Sequence, residues 1–310
     1  MDLSSINWLL LVASLMVAST PILLAALGEL VVERAGVLNL GVEGMMIVGA
    51  VTGFVAGFES QSAVLGFAAA AVGGAALSLL FGLLTQLLMS NQVATGLALT
   101  LFGLGLSALI GQGYIGARGV EVPDINWGPL SDLPVVGTVF FQHDAMVYLS
   151  LLMCLGVWYG LQRTRAGLIL RAVGESAEAA HALGYKVVRI RLMAIAFGGA
   201  MAGLGGAYIS LIRVPQWTEG MTAGAGWIAL ALVVFAAWRP GRLLLGAYLF
   251  GGLTVLQLNL QAAGVAVPVE YLSMSPYILT IVVLVIMSSG RARTALGAPA
   301  ALGKSFHAAA

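Results

Sequence analysis

The chain has 310 residues, of which 60% are hydrophobic and 9% charged. Soluble proteins are about 25% charged, so this composition excludes a water-soluble fold. The formal net charge of +1 identifies no partner, and only the distribution of charge along the chain is informative. The one cysteine, Cys154, lies in an apolar run, which gives no basis for a disulfide framework or a zinc site.

Nine apolar segments account for most of the length. A membrane-spanning helix needs about 20 apolar residues, so we predict a bundle of about nine spans. The second segment contains Gly49, Gly53 and Gly57, a spacing typical of close helix packing, as is the pair Gly199 and Gly203. The other eight segments are Ile6–Leu27, Ala63–Met89, Val93–Ile110, Ala145–Gln162, Leu192–Ile212, Trp227–Trp238, Leu243–Ala262 and Pro276–Ser289.

Charge bias orients the segments. Residues 113–144 are acidic, with Arg118 as their one basic residue, which favours an extracytoplasmic loop. Residues 163–191 hold six Lys and Arg residues, and the tail 290–310 holds Arg291, Arg293 and Lys304, which favours the cytoplasm for both. We predict a single transmembrane domain over residues 1–310 with its carboxyl terminus in the cytoplasm.

Residues 28–50 combine polar side chains with glycines that break helices. Charges at membrane depth normally pair or face a cavity, and irregular backbone is tolerated there only inside protein or along water. Two alternatives stay open for residues 29–40: a surface turn, or a half-helix that would make a tenth span. A helix that begins near Ala35 would already contain the polar residues Asn39 and Glu43. The polar residues are Glu29, Glu33, Arg34, Asn39 and Glu43.

The loop over residues 163–191 contains a short helix signal. Ser176 is a good N-cap, Glu178 suits the positive end of a helix dipole, and Gly184 suits a left-handed C-terminal residue. A helix of about two turns has no core of its own. It therefore needs an external surface to pack on, unless the segment is an ordinary solvated loop.

No catalytic, metal or nucleotide site is predicted. Gly303-Lys304-Ser305 resembles part of a phosphate-binding loop, but the spacing from Gly297 is wrong and no strand precedes it. The three histidines are far apart, and no paired-cysteine motif occurs. We therefore expect no cofactor, no nucleic-acid partner and no ATPase activity in this chain.

The short helix also resembles a known signature. Glu178-Ala179-Ala180 followed by Gly184 is similar to the EAA-xxx-G motif of ABC-importer permeases, whose coupling helix docks into the ATPase subunit. The resemblance assigns ATPase coupling to Glu175, Ser176, Glu178, Ala179, Ala180 and Gly184. Ile195 stands near the place where the family continues with Leu-Pro, which is missing here. That departure favours the branch that carries branched-chain amino acids, simple sugars and nucleosides.

Two further segments resemble the nucleoside-type permeases of that branch. Residues 33–44 match the pattern E-R-x-G-x-x-N-x-G-x-E-G, and residues 218–231 match T-E-G-x-x-x-G-x-G-W-I-A-L-A. The tryptophans near the second segment either stack on a base or belong to an interfacial belt. The resemblance assigns the translocation pathway to Asn39, Glu43, Trp217, Glu219 and Trp227.

The resemblance implies an all-α, polytopic helix bundle of nine or ten spans, similar to type II ABC-importer permeases, in a bacterial cytoplasmic membrane. It implies as partners a second permease subunit, a cytoplasmic ABC ATPase, an extracytoplasmic substrate-binding lipoprotein and membrane lipid. The absence of clustered Lys or Arg in the pathway favours a neutral solute, a nucleoside first. The alternatives are a monosaccharide, a branched-chain amino acid, an ion-coupled carrier with Glu43 as proton site, and a membrane scaffold.

Overall fold

The computed structural model describes residues 8–131, 133–262 and 297–307, with helical backbone at the isolated positions 274, 278, 281, 282 and 285. The described part is helical, and its extended pairing is limited to two isolated bridges, Ile115 with Trp217 and Arg118 with Gln216. The all-α prediction is confirmed. The predicted span Pro276–Ser289 and the basic Arg291 and Arg293 lie outside the continuously described residues.

Eleven α-helices follow one another in the described part. Helices α3 and α9 each continue into a π-helical turn, Leu83–Leu87 and Ile209–Arg213. Short 3₁₀ turns lie at Gln112–Tyr114 and Gly128–Leu130. The helices are α1 Trp8–Arg34, α2 Val42–Ser60, α3 Ala63–Gly82, α4 Gln92–Gly111, α5 Val136–Phe140, α6 Ala145–Arg163, α7 Arg165–Glu175, α8 Ala177–Ala182, α9 Val187–Tyr208, α10 Ala225–Phe235 and α11 Pro240–Ala262.

Seven helices in the described residues are long and apolar enough to cross a membrane, namely α1, α2, α3, α4, α6, α9 and α11. Helix α10 has 11 residues, and at 1.5 Å per residue it is about 16 Å long. It therefore covers about half of a hydrocarbon core about 30 Å thick. The predicted span Trp227–Trp238 is consequently a half-length helix.

Helices α1, α2 and α9 form the centre of the bundle, and α3 packs on α2 and α9. Their backbones approach closely where glycines face one another: a Cβ built on Gly49 would lie 2.2 Å from the Cα of Gly203. A Cβ on Gly74 would lie 2.2 Å from the carbonyl oxygen of Gly199. The close packing predicted for Gly49, Gly199 and Gly203 is thus confirmed. Helices α6 and α11 pack on α1, and α4 packs on α2.

The bundle has two distinct ends. We call the end that carries α7 and α8 the coupling end, and there the chain also turns between α1 and α2 and the segment 297–307 packs. The other end, which we call the cap end, carries residues 112–144. In it the N–H of Ile125 donates to the carbonyl of His143, and Trp127 packs edge-on against Tyr148. The cap is therefore tied to the first turn of α6.

Candidate functional site

The amino terminus of the half-helix α10 lies against Glu43, in the first turn of α2. Both carboxylate oxygens of Glu43 are used: Oε1 accepts from the Thr222 hydroxyl and from the N–H of Gly224 at 3.0 Å, and Oε2 accepts from the N–H of Gly226 at 2.6 Å. Glu43 is 4% exposed. A carboxylate that caps free N–H groups at a helix start is favoured by hydrogen bonding and by the helix dipole.

Glycine permits this contact. A Cβ on Gly226 would lie 2.5 Å from both the Cα and the nitrogen of Glu43, so a larger residue would displace α10. Gly224, the N-cap residue of α10, has φ +85°, and Gly220 has φ +68°, both in the left-handed region that glycine adopts without strain. The glycines of residues 218–226 therefore shape an irregular segment that leads into the half-helix.

The turn between α1 and α2 is a second irregular segment, and its backbone is satisfied by side chains of α4. The N–H of Leu38 donates to Oε1 of Gln92 at 2.8 Å. The hydroxyl of Thr100 donates to the carbonyl of Leu40 at 3.2 Å. A largely buried backbone that lacks helical hydrogen bonds needs such partners.

Asn39 lies in this turn, because α2 begins at Val42 and not near Ala35. Its Oδ1 accepts from the N–H of Gly41 at 2.9 Å, and its own N–H donates to Glu29 at 3.3 Å. Asn39 is buried and its amide shapes the turn. Residues 29–34 are the last turns of α1, and Glu29 and Glu33 are buried, so both alternatives for residues 29–40, the surface turn and the half-helix, are wrong.

The last turn of α1 binds Trp238, just beyond the carboxyl end of α10. The indole nitrogen of Trp238 donates to Oε2 of Glu33, and Arg34 donates from Nε and Nη2 to the carbonyl of Trp238 at 3.3 and 3.0 Å. Glu33 and Trp238 are buried. The half-helix α10 is consequently held at both ends, by Glu43 at its start and by Glu33 and Arg34 just beyond its end.

The other predicted pathway residues are dispersed. Trp217 is 1% exposed and packs with Phe54, their ring centroids 6.3 Å apart, at the cap end. Trp227 is 38% exposed in the first turn of α10, and Glu219 is exposed in the preceding segment. Burial of Trp217 favours a packing role over stacking on a solute. The pathway assignment of all five residues stays a prediction.

Two buried polar clusters were not singled out from the sequence. Asp144 caps α6, accepting from the N–H groups of Met146 and Val147, and its other oxygen accepts from the Tyr208 hydroxyl at 2.8 Å. An Asp directly before an apolar run is an N-cap signal that could have identified it. Its pairing with Tyr208, 64 residues away, carries no local signal.

The second cluster surrounds Arg191, which is 0% exposed near the start of α9. Its Nε donates to the carbonyl of Ala35 at 3.2 Å, and its Nη1 donates to Gln86 at 3.3 Å and to the carbonyl of Lys304 at 3.1 Å. Its Nη2 has no hydrogen-bond partner. Arg191 therefore ties three separate segments together at the coupling end.

Helix α8 has the cap geometry predicted for it. The hydroxyl of Ser176 accepts from the N–H of Ala179 at 3.2 Å, and Gly184 has φ +87°. Both predictions of local structure are confirmed. Ser176 also ends α7, so the two short helices α7 and α8 meet at this residue.

The predicted coupling residues divide between two faces of α8. Glu178, Ala179 and Gly184 are exposed, as are Glu175 and Ser176 beside the helix. Ala180 is 2% exposed and packs inward, so it supports the helix from within. The sequence did not single out Leu183, which is 76% exposed directly after α8.

Comparison with known proteins assigns the family. Residues 11–287 match the model described as branched-chain amino acid transport system / permease component. The chain is 43% identical to a Haloferax volcanii protein named "Putative glucose ABC transporter permease protein", over 94% of this chain and 95% of the relative. It is 32% identical to the nucleoside ABC transporter permease protein of Lactococcus lactis, over 89% and 91%.

A third relative is the guanosine ABC transporter permease protein of Bacillus subtilis, 33% identical over 92% of this chain and 93% of the relative. Family members are membrane components of transporters and are not themselves catalytic. The seven long apolar helices agree with such a role. The chain therefore belongs to the family of branched-chain amino acid transport system permease components, and is a multi-pass membrane subunit of an ABC transporter.

Proposed function

We propose that this chain is one permease subunit of an ATP-driven importer, that it pairs with a second permease, and that α8 docks into a cytoplasmic ATPase. A substrate-binding lipoprotein delivers the solute at the cap end. The carboxyl terminus lies in the cytoplasm with α8. The solute is a neutral, hydroxyl-bearing molecule, a nucleoside as first candidate.

One observation carries the coupling role. Helix α8 has six residues and packs one face on Val173 and Val187, while its other face and Leu183 are exposed in the described structure. In the described part of the chain, the exposed face of α8 and the side chain of Leu183 are therefore accessible for a partner to cover. The exposed residues include Glu178 and Ala179 of the signature that resembles ATPase-docking permeases.

The neutral charge of the solute is inferred from Glu43. The start of a half-helix inside a membrane protein is a natural site for an anionic group. Here that position is filled by the carboxylate of Glu43, so the helix dipole is already compensated within the chain. Among the described arginines, Arg191 is the fully buried one, and it is held by carbonyls at the coupling end.

A monosaccharide is the second candidate, because the Haloferax volcanii relative has a glucose permease name and the highest identity of the three relatives above. The nucleoside candidate rests on the relatives from Lactococcus lactis and Bacillus subtilis and on the match of residues 218–231. The ion-coupled alternative has no support from the geometry, because both oxygens of Glu43 are occupied by donors of the chain itself.

The proposal is tested by uptake into proteoliposomes that contain this chain, its second permease, its ATPase and its binding protein. We expect ATP-dependent uptake of labelled guanosine, competed by other nucleosides. Uptake of labelled glucose in its place would select the second candidate. Uptake of leucine with neither of these would contradict the neutral, hydroxyl-bearing solute.

The same system tests docking through Leu183→Asp. A buried, unpaired carboxylate is strongly unfavourable in an apolar contact, so we expect ATPase retention during purification to fall at least tenfold. The matched control is Leu133→Asp, at an exposed leucine of the cap end, which should retain the ATPase. Equal retention by both variants would contradict docking at α8.

A further inference from the structure

The segment 297–307 returns to the coupling end, where its backbone donates hydrogen bonds to two different parts of the bundle. The N–H of Ala301 donates to the carbonyl of Gly174 at the end of α7, at 2.9 Å. The N–H of Gly303 donates to the carbonyl of Gly36, in the turn after α1, at 3.2 Å. These contacts attach the segment to α7 and to the α1–α2 turn at once.

Two buried or half-buried arginines hold the same segment. Arg34 donates from Nη1 to the carbonyl of Gly297 at 3.2 Å, and Arg191 donates from Nη1 to the carbonyl of Lys304 at 3.1 Å. Hydrogen bonds from charged groups are stronger than those between neutral groups. The segment is therefore anchored at both its ends as well as along its middle.

Phe306 completes the core beneath α8. It is 9% exposed and clusters with Val173, Ala177, Ala180 and Val187, so it covers the inward face of the helix. Its ring also meets the ring of His181 edge-on, with centroids 5.4 Å apart. A six-residue helix is not stable without tertiary packing. The orientation of α8 consequently depends on Phe306.

The contacts of the segment continue into the bundle. Arg34 binds the carbonyl of Trp238 with the same guanidinium group that binds Gly297. Trp238 follows α10, whose other end is held by Glu43. A continuous set of contacts therefore joins α8, through residues 297–307 and the end of α1, to the half-helix.

We propose that residues 297–307 are a working part of the coupling apparatus, in which Phe306 positions α8 and the segment transmits displacement of α8 to the end of α1 and to α10. This inference rests on the proposed function, in which α8 receives the ATPase. It assigns a role to a segment that lies beyond the residues matched by the family model.

The test compares Phe306→Ala, Phe306→Leu and His307→Ala in the complete transporter reconstituted in proteoliposomes. His307 is exposed and serves as the matched control. The readout is solute moved per ATP hydrolysed, together with ATPase retained on the complex. We expect Phe306→Ala to lower this ratio at least about fivefold, the lower end of ordinary coupling between sites, with the ATPase still bound. Phe306→Leu keeps a large apolar side chain at this position and should retain most of the solute moved per ATP hydrolysed.

The outcomes separate the two proposals. If Phe306→Ala lowers uptake and hydrolysis in the same proportion, the ratio is unchanged and the segment has only a structural role, which overturns the inference. A ratio equal to that of His307→Ala overturns it as well. If the unaltered chain retains no ATPase, the proposed function itself fails, and the role of the segment fails with it.

Discussion

Glu43 shows how a carboxylate is accommodated inside this bundle. A buried charge is costly unless it is hydrogen-bonded, and Glu43 receives one hydroxyl and two backbone N–H groups. The donors come from the segment that precedes α10 and from its first turn, so the same contact fixes the half-helix to α2. Removal of either side leaves buried polar groups without partners.

At this scale we predict that Thr222→Val destabilises the folded chain by about 1.5–3 kcal/mol, the usual range for a hydrogen bond to a charged group. Thr222→Ser keeps the hydroxyl and should lower the free energy of unfolding much less. The measurement is thermal unfolding in detergent. Unfolding is monitored by the reaction of a thiol dye with Cys154, which is 6% exposed in the folded chain.

A double-mutant cycle with Glu43→Gln identifies the partner. If Thr222 acts through Glu43, the two substitutions together should cost less than the sum of the two alone, with an interaction of about 0.5–3 kcal/mol. Additive effects would show that the hydroxyl of Thr222 stabilises the chain in some other way.

At the scale of elements, α10 depends on close approach to α2. The helix is too short to span the membrane, and its first turn contacts the backbone of α2 through Gly226. At its carboxyl end, the last turn of α1 binds Trp238 through hydrogen bonds from Arg34 and to Glu33. These two attachments make α10 a rigid link between α1 and α2.

We predict that Gly226→Ala strains this link, because its Cβ would meet backbone atoms of Glu43 that cannot rotate away. Overpacking of this kind typically costs about 1–3 kcal/mol, which the Cys154 unfolding assay would register as a lower midpoint. Gly241→Ala, in the first turn of α11 with open space around it, should leave the midpoint unchanged or slightly raised. Equal midpoints for the two variants would contradict the close contact.

At the scale of the whole molecule, the two ends differ in what they expose. The coupling end carries the basic loop, α8 and the segment 297–307, and the cap end carries the acidic residues 112–144. Positive charge accumulates on the cytoplasmic side of membrane proteins. This asymmetry is the physical basis of the proposed orientation.

We predict that, when the chain is expressed without its ATPase, a cysteine at exposed Leu183 reacts with an impermeant maleimide only from the cytoplasmic face, in inside-out vesicles. A cysteine at exposed Asp124, in the cap, should react only in intact cells or right-side-out vesicles. The native Cys154 is buried and gives little background. Labelling of both positions from one face would contradict the orientation.

Features with a local cause were predictable from the sequence. Apolar length and scarce charge predicted a polytopic helix bundle. Ser176 and Gly184 predicted the two ends of helix α8, because caps depend on residues within one turn. The glycine spacing around Gly203 predicted close packing. The short α10 was mistaken for a span because apolar length does not reveal where a helix starts.

The sequence by itself determined the membrane class, the family and the position of the exposed helix α8, because composition, motif spacing and capping are properties of neighbouring residues. Only the tertiary structure decided three contacts. Glu43 caps the start of α10, 183 residues away in sequence, Arg191 binds three separate segments, and Phe306 packs beneath α8. Each of these contacts joins parts of the chain far apart in sequence. Their partners are selected by how the helices pack, and no local pattern encodes that choice.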